Sequence, residues 1–241
     1  MVPSCRYTPY TGRTSTDGTP VTPTRRAALL AGLLYLSTHV TSVAALLAYG
    51  SVLTDPASAV SGEHDTAVLV GVVLDTLLAL GVVGTGVALL PVLRPYAPVG
   101  AYAFSALRTM EAAVIAAGAL PMVALVSLRD EASASLLVGL HQASFLLGQG
   151  LVISITTLVV AGTLWRTRLV PGWIGALGLV GGAALLVSNG AQLFDGIERG
   201  GSLAALLAAP AFAFEISFAV YLIVRGVRVP TRGPVATPVY A

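Results

Sequence analysis

Residues 106–115 read ALRTMEAAVI and set Arg108 and Glu111 near the centre of an otherwise apolar stretch, 99–126. An ion at mid-bilayer costs about 2.5–3.5 kcal/mol on insertion scales. A helix carrying two of them therefore needs polar neighbours. Residues three apart share a helix face, so this pair can meet side by side. The reading that follows is a bundle of membrane-spanning helices with a polar interior.

The composition agrees with that reading. Of 241 residues, 56% are hydrophobic and 10% charged, against about 25% charged in a soluble domain. Mean hydropathy is +0.86. The fold class expected is all-α, a polytopic integral membrane bundle. All 13 basic residues are Arg, and Ala, Val, Gly and Leu dominate, which points to a GC-rich bacterial genome. One cysteine, Cys5, excludes an internal disulfide framework and a cysteine-based metal cluster.

Outward from residues 106–115, six segments are long enough to cross a bilayer, which takes ~20 residues. They are 27–49, 64–90, 99–126, 135–164, 173–194 and 203–224, within a transmembrane domain of 25–228. Residues 1–24, rich in Thr, Pro, Ser and Gly, predict a disordered tail, and 229–241 form a second tail. Arg25 and Arg26 faintly resemble a twin-arginine export signal. The apolar run that follows exceeds twenty residues, longer than a signal core of ~7–15, so a spanning helix is the better reading. Pro91, Pro95, Pro98 and Pro171 are expected to break helices in the short connections.

Orientation follows from arginine bias. Arg6, Arg13, Arg25, Arg26, Arg94, Arg166, Arg168, Arg225, Arg228 and Arg232 fall on one side. Only Arg129 and Arg199 fall in the connections opposite, which are instead acidic: Asp55, Glu63, Asp65, Asp130, Glu131, Asp195 and Glu198. The positive-inside rule puts both termini in the cytoplasm, in a bacterial plasma (inner) membrane. Trp165, Trp173, Tyr96 and Tyr102 sit where an inner aromatic belt is expected.

Every span carries a polar residue at depth. His39 is near the middle of the first, Asp75 of the second, and Arg108 with Glu111 of the third. Gln149 is central in the fourth, with His141 and Gln142 farther out. Asn189 and Gln192 lie in the outer half of the fifth, and Glu215 is midway along the sixth. Intramembrane ionisable residues are rare and usually face the interior, so these ten define one expected pocket, floored by Glu111, Arg108 and Asp75. Fully ionised, Asp75, Glu111 and Glu215 against Arg108 leave the interior at −2. A proton, a charged His39 or His141, or a bound cation must offset that. Each residue also has a plainer role. Arg108 and Glu111 can simply fix helix register, Asp75 and Glu215 can each bond a neighbouring helix, the histidines can be satisfied core residues, and Asn189 and Gln192 can glue helices together. Gly175, Gly178 and Gly182 in the fifth span, and Gly81, Gly84 and Gly86 in the second, read first as packing devices. Gly178 and Gly182 form a small-xxx-small step through which a second copy could dock. The GQG at 148–150 lacks the strand–turn–helix setting of a phosphate loop, so no nucleotide site is read there.

Several strings agree in order with a known family. These are LLYLSTHVTSVAALLAYGSVLTDP (33–56), LDTLLALGVVGTGVALLPVLRP (74–95), LRTMEAAVIAAG (107–118), HQASFLLGQGL (141–151) and WRTRLVPGWIGALGLVGG (165–182). Over about residues 25–228 the chain resembles an uncharacterised bacterial membrane family, domain of unknown function 4386. The resemblance implies a polytopic membrane fold and brings no activity with it. His39 stands where it implies an aromatic residue.

Four functions compete. A small transporter or permeation path, proton-coupled in its sharper form, suits midplane carboxylates and an acidic outer rim, with a small molecule or cation as cargo. An intramembrane enzyme on a lipid or isoprenoid-like substrate would use Glu111, Asp75 or Glu215 as a protonated acid in an apolar pocket. A metal or haem site finds no HxxxH or ExxH spacing, so no metal and no cofactor is expected. A non-catalytic assembly or sensor subunit would use the glycine-rich fifth span. The partners expected are the lipid bilayer and the unidentified small molecule or cation, with a second copy of the chain as a candidate through the glycine-rich fifth span and no nucleic acid.

Overall fold

The computed structural model describes residues 23–228. Its helices are α1 Pro23–Tyr49, α2 Asp65–Leu93, α3 Pro98–Ser127, α4 Glu131–Phe145, α5 Ile153–Thr167, α6 Gly172–Leu193 and α7 Ser202–Val224. A π-helical stretch, Leu146–Val152, carries α4 straight into α5. Among the described residues six segments are therefore long and apolar enough to span, from 22 to 37 residues each. The chain is a multi-pass membrane-spanning helical protein. The tail expectations for residues 1–22 and 229–241, with Cys5, Arg6, Arg13 and Arg232, lie outside the described residues.

Residues are sorted opposite to a soluble fold. Leu47, Leu80 and Val187 are among the most exposed side chains, while Asp75, Arg108, Glu111 and His141 are fully buried. Lipid solvates the apolar exterior, and the helical backbone satisfies its own polar groups.

Consecutive spans pack on one another, and α7 returns to α1, so the six form a closed ring in chain order with α3 also against α5. The α1–α7 seam closes tightly because Gly32 lies over the Ala219 carbonyl and Leu222. Arg25 then donates to the carbonyls of Leu222 (2.9 Å) and Ile223 (2.6 Å), neutralising the negative end of α7. Toward the arginine-rich side the interior is filled with apolar side chains, including Tyr35, Phe104, Phe214, Phe218, Leu89 and Leu164. Toward the acidic side it is open.

Three boundaries depart from expectation. The first span begins at Pro23 rather than 27, since proline suits a first turn, whose N–H has no partner in any case. The fourth begins at Glu131 rather than 135, because the Asp130 carboxylate accepts from Ser133 N at 2.9 Å and caps it. The Ser133 hydroxyl and backbone N–H hold that carboxyl below its ordinary range. Pro91 does not break the second span but lies inside α2, as Pro121 lies inside α3 and Pro210 inside α7. Membrane helices accommodate proline because neighbouring helices and local adjustment re-satisfy the freed backbone.

Gly178, Gly181 and Gly182 of α6 are engaged within the chain. A side chain at Gly178 would strike Ala161 and Phe214, at Gly181 the backbone of Ala211, and at Gly182 Leu158.

Candidate functional site

The interior of the ring holds two stacked chambers rather than one hollow. The outer has a volume of about 540 Å³ and is walled by α1, α2, α4, the π stretch, α6 and the loop before α7. The inner, about 110 Å³, lies among α1, α2, α3, the π stretch, α5 and α7. Ser42 and Gln149 line both. The Ser42 hydroxyl donates to Gln149 Oε1 at 3.3 Å, and that bond from α1 to the π stretch marks the partition.

Gln149 sits there because seven residues, LLGQGLV, are wound as a π-helix. Such stretches are frequent at functional sites. Gly148 lets the segment lie against Val114 and the Glu111 carbonyl, and Gly150 lets it lie against Asn189. The sequence pattern hid this feature, because LLGQGLV is as apolar as its flanks.

The inner chamber contains the charge cluster. Arg108 Nη1 reaches both Glu111 oxygens, at 3.1 and 3.0 Å. Its guanidinium lies 4.8 Å from the Tyr35 ring centroid and 5.7 Å from that of Phe104, a stacked setting suited to arginine. Nη2 stands 3.9 Å from Glu215 Oε1. Glu215 Oε2 is 3.2 Å from His39 Nε2, while His39 Nδ1 is 2.8 Å from the Tyr35 carbonyl. A carbonyl only accepts, so Nδ1 carries a hydrogen and the other ring nitrogen of a neutral His39 is a lone pair. A lone pair facing a carboxylate oxygen at 3.2 Å needs one proton between them. With that shared proton the four side chains sum to zero, so the inner cluster is internally compensated.

The outer chamber is organised around Asp75. Tyr49, at the end of α1, donates to Asp75 Oδ2 at 2.6 Å. It can cross α2 because residue 71 is glycine; any side chain there would occupy the Tyr49 ring. Asp75 Oδ1 is buried with no hydrogen-bond partner. His141 packs edge-on to Tyr49, centroids 4.9 Å apart, and tilted against Phe145 at 4.8 Å. Its Nδ1 is 2.9 Å from the Gly118 carbonyl, which leaves Nε2 as the free ring nitrogen. Gln142 is tied to the Leu53 carbonyl at 2.7 Å. Asn189 reaches Ser154 of α5 at 3.4 Å and Leu185 O at 2.8 Å, which ties α6 to α5, while Gln192 reaches Ser188 at 3.1 Å within α6 itself. Arg199 stands in the loop wall.

The ten residues singled out from sequence thus divide. Arg108, Glu111, His39 and Glu215 share the inner chamber. Asp75, His141, Gln142, Asn189 and Gln192 share the outer, and Gln149 lies between. Asp75 does not join Arg108 and Glu111 in one floor. Tyr49, Ser42, Phe145 and Arg199 also line the chambers. For Tyr49 the only signal was an aromatic at a span end, the usual mark of a membrane interface.

Against known families, residues 30–226 match the one described as "Domain of unknown function (DUF4386)". The chain belongs to the DUF4386 family. No curated protein matches it, and no solved structure does.

Proposed function

We propose that this protein is a small carrier that admits a small molecule or cation from the acidic side and couples its passage to the proton between His39 and Glu215. The observation that carries this is the stacking. A large chamber leads through the Ser42–Gln149 partition to a smaller one, whose volume of about 110 Å³ has room for several waters. It ends on the His39–Glu215 pair, midway along α1 and α7, and the aromatic plug of Tyr35, Phe104, Phe214 and Phe218 fills the far side. A carrier needs a site closed to one face at a time. The proton also sits within reach of a fixed cation, so loss of the proton or gain of a positive ligand changes the same charge balance.

Proteoliposomes with a trapped pH dye test the coupling. Adding an inorganic or organic cation to a pH gradient should speed its collapse with the wild-type chain and not with Glu215→Gln or His39→Phe. The acceleration should vary with pH, because one proton lies between His39 and Glu215 and is faced by Arg108, Glu111 and Tyr35 from α3 and α1. Equal flux in wild type and Glu215→Gln would overturn the reading. The alternative, an intramembrane enzyme, is supported by the Tyr49–Asp75 bond beside His141 in a partly apolar chamber. Turnover of an added lipid, lost in Asp75→Asn, would favour it instead.

We further propose a bacterial plasma membrane with both termini cytoplasmic, from the arginine bias. Cys5 is the single cysteine. A membrane-impermeant maleimide should therefore label it in inverted vesicles and leave it unlabelled in intact spheroplasts. The reverse pattern would invert the topology and place the large chamber on the cytoplasmic face.

A further inference from the structure

We propose that the outer chamber is a recognition site for an organic ammonium group, held by Asp75 and by the rings of Tyr49, His141 and Phe145. The inference rests on reading that chamber as a ligand site and names the chemistry it would select.

Asp75 carries the argument. It is 0% exposed, one oxygen is taken by Tyr49 at 2.6 Å, and Oδ1 has no partner. A buried carboxyl oxygen without a donor is costly. Among the described residues no arginine pairs with it. Arg108 is committed to Glu111 and faces Glu215 in the other chamber, and Arg199 has its place in the loop wall. No hydrogen-bond donor of the described residues reaches Oδ1, and the one neighbour that can carry a positive charge toward Asp75 is His141, only when it is protonated.

The surroundings narrow the class. Three rings line the same chamber, the centroids of Tyr49 and Phe145 each within 5 Å of that of His141. Ring faces attract cations, and aromatic walls beside a carboxylate suit alkylated ammonium groups. His141 holds the Gly118 carbonyl through Nδ1, so neutral His141 turns an acceptor, not a donor, to the remaining space. Val43 and Leu46 add apolar wall. A bare divalent ion would want six or more oxygen ligands, and one carboxyl oxygen among rings does not provide them. An anion would meet Asp75. A volume of about 540 Å³ is that of a drug-sized ligand site. An organic cation with an apolar body fits all of these.

Calorimetry on the full chain in dodecyl maltoside tests this with benzyltrimethylammonium and, as the opposite charge on the same ring, benzenesulfonate. The expected result is saturable binding of the first only. Asp75→Asn should weaken it by about thirtyfold or more, as truncating one partner of a buried charge pair does. Should Asp75→Asn fail to fold, Phe145→Leu keeps the carboxylate and removes a ring face, and about a fivefold loss is expected. A titration with dihexanoylphosphatidylcholine separates sources: tighter binding than benzyltrimethylammonium assigns a lipid headgroup, weaker binding a free solute, and either keeps the ammonium class. Benzenesulfonate binding as well as the cation, no binding of either ammonium compound, or unchanged affinity in both variants overturns the proposal. Cation-driven proton flux without ammonium binding would end this inference and leave the carrier reading, and binding without flux would do the reverse.

Discussion

Arg108→Met should destabilise the folded protein by about 3–5 kcal/mol, the usual cost of removing one member of a buried ion pair. The reason is the compensation in the inner chamber. Glu111 takes two hydrogen bonds from Arg108 Nη1 at 3.1 and 3.0 Å, and Glu215 leans on the same guanidinium at 3.9 Å. Without Arg108, two carboxylates share a small chamber with one shared proton. The double variant Arg108→Met/Glu111→Met should recover most of the loss, because His39 and Glu215 still hold each other at 3.2 Å and apolar replacements of a buried pair are often neutral. Thermal or SDS unfolding in detergent compares the two. A double variant as unstable as the single would mean that Arg108 works through its stacking on Tyr35 and Phe104, not through its charge.

Gly181→Ala should be the most damaging of the small glycine substitutions. The added methyl would lie 2.5 Å from Ala211 N, 2.6 Å from Ala211 Cα and 2.9 Å from Pro210 C. All three are backbone atoms, so no side-chain rotation relieves the clash and α6 must move off α7. Overpacking of this kind costs about 1–3 kcal/mol, occasionally more. Gly190→Ala in the same helix is the control. Nothing lies within 4 Å of a methyl there, and replacing a helix-interior glycine should be neutral or stabilising by about 0.5–1 kcal/mol. Equal effects at the two positions would mean that α6 and α7 are not in the close contact described.

These two cases also mark what a linear chain discloses. The Arg108–Glu111 pair was legible because three residues on one helix is a local geometry. The partnership of His39 with Glu215 was not, since it joins the first span to the last and depends on the ring closing. The six spans were legible from apolar length alone. The π stretch was not, because winding leaves no mark in hydropathy, and with it went the partition that assigns Asp75 to a different chamber from Arg108. Gly178 and Gly182 carry the small-xxx-small spacing, yet Gly181 makes the tightest backbone approach, because which face of α6 meets α7 is decided by tertiary packing. Tyr49 was hidden by its place at a span end, where aromatics ordinarily mark the bilayer surface.

The π stretch has a consequence for how this protein tolerates change in its gene. A π turn is an α-helix holding one surplus residue, so losing a single codon anywhere in 146–152 would let the fourth span rewind as an unbroken α-helix. Relative to α4, every side chain after the deletion would then turn by ~100° and move by ~1.5 Å. The Ser154 hydroxyl, which now receives Asn189 at 3.4 Å, would leave its partner, and the bridge to Ser42 would be lost. A one-residue deletion there should yield a protein that still inserts, with the two compartments merged or blocked.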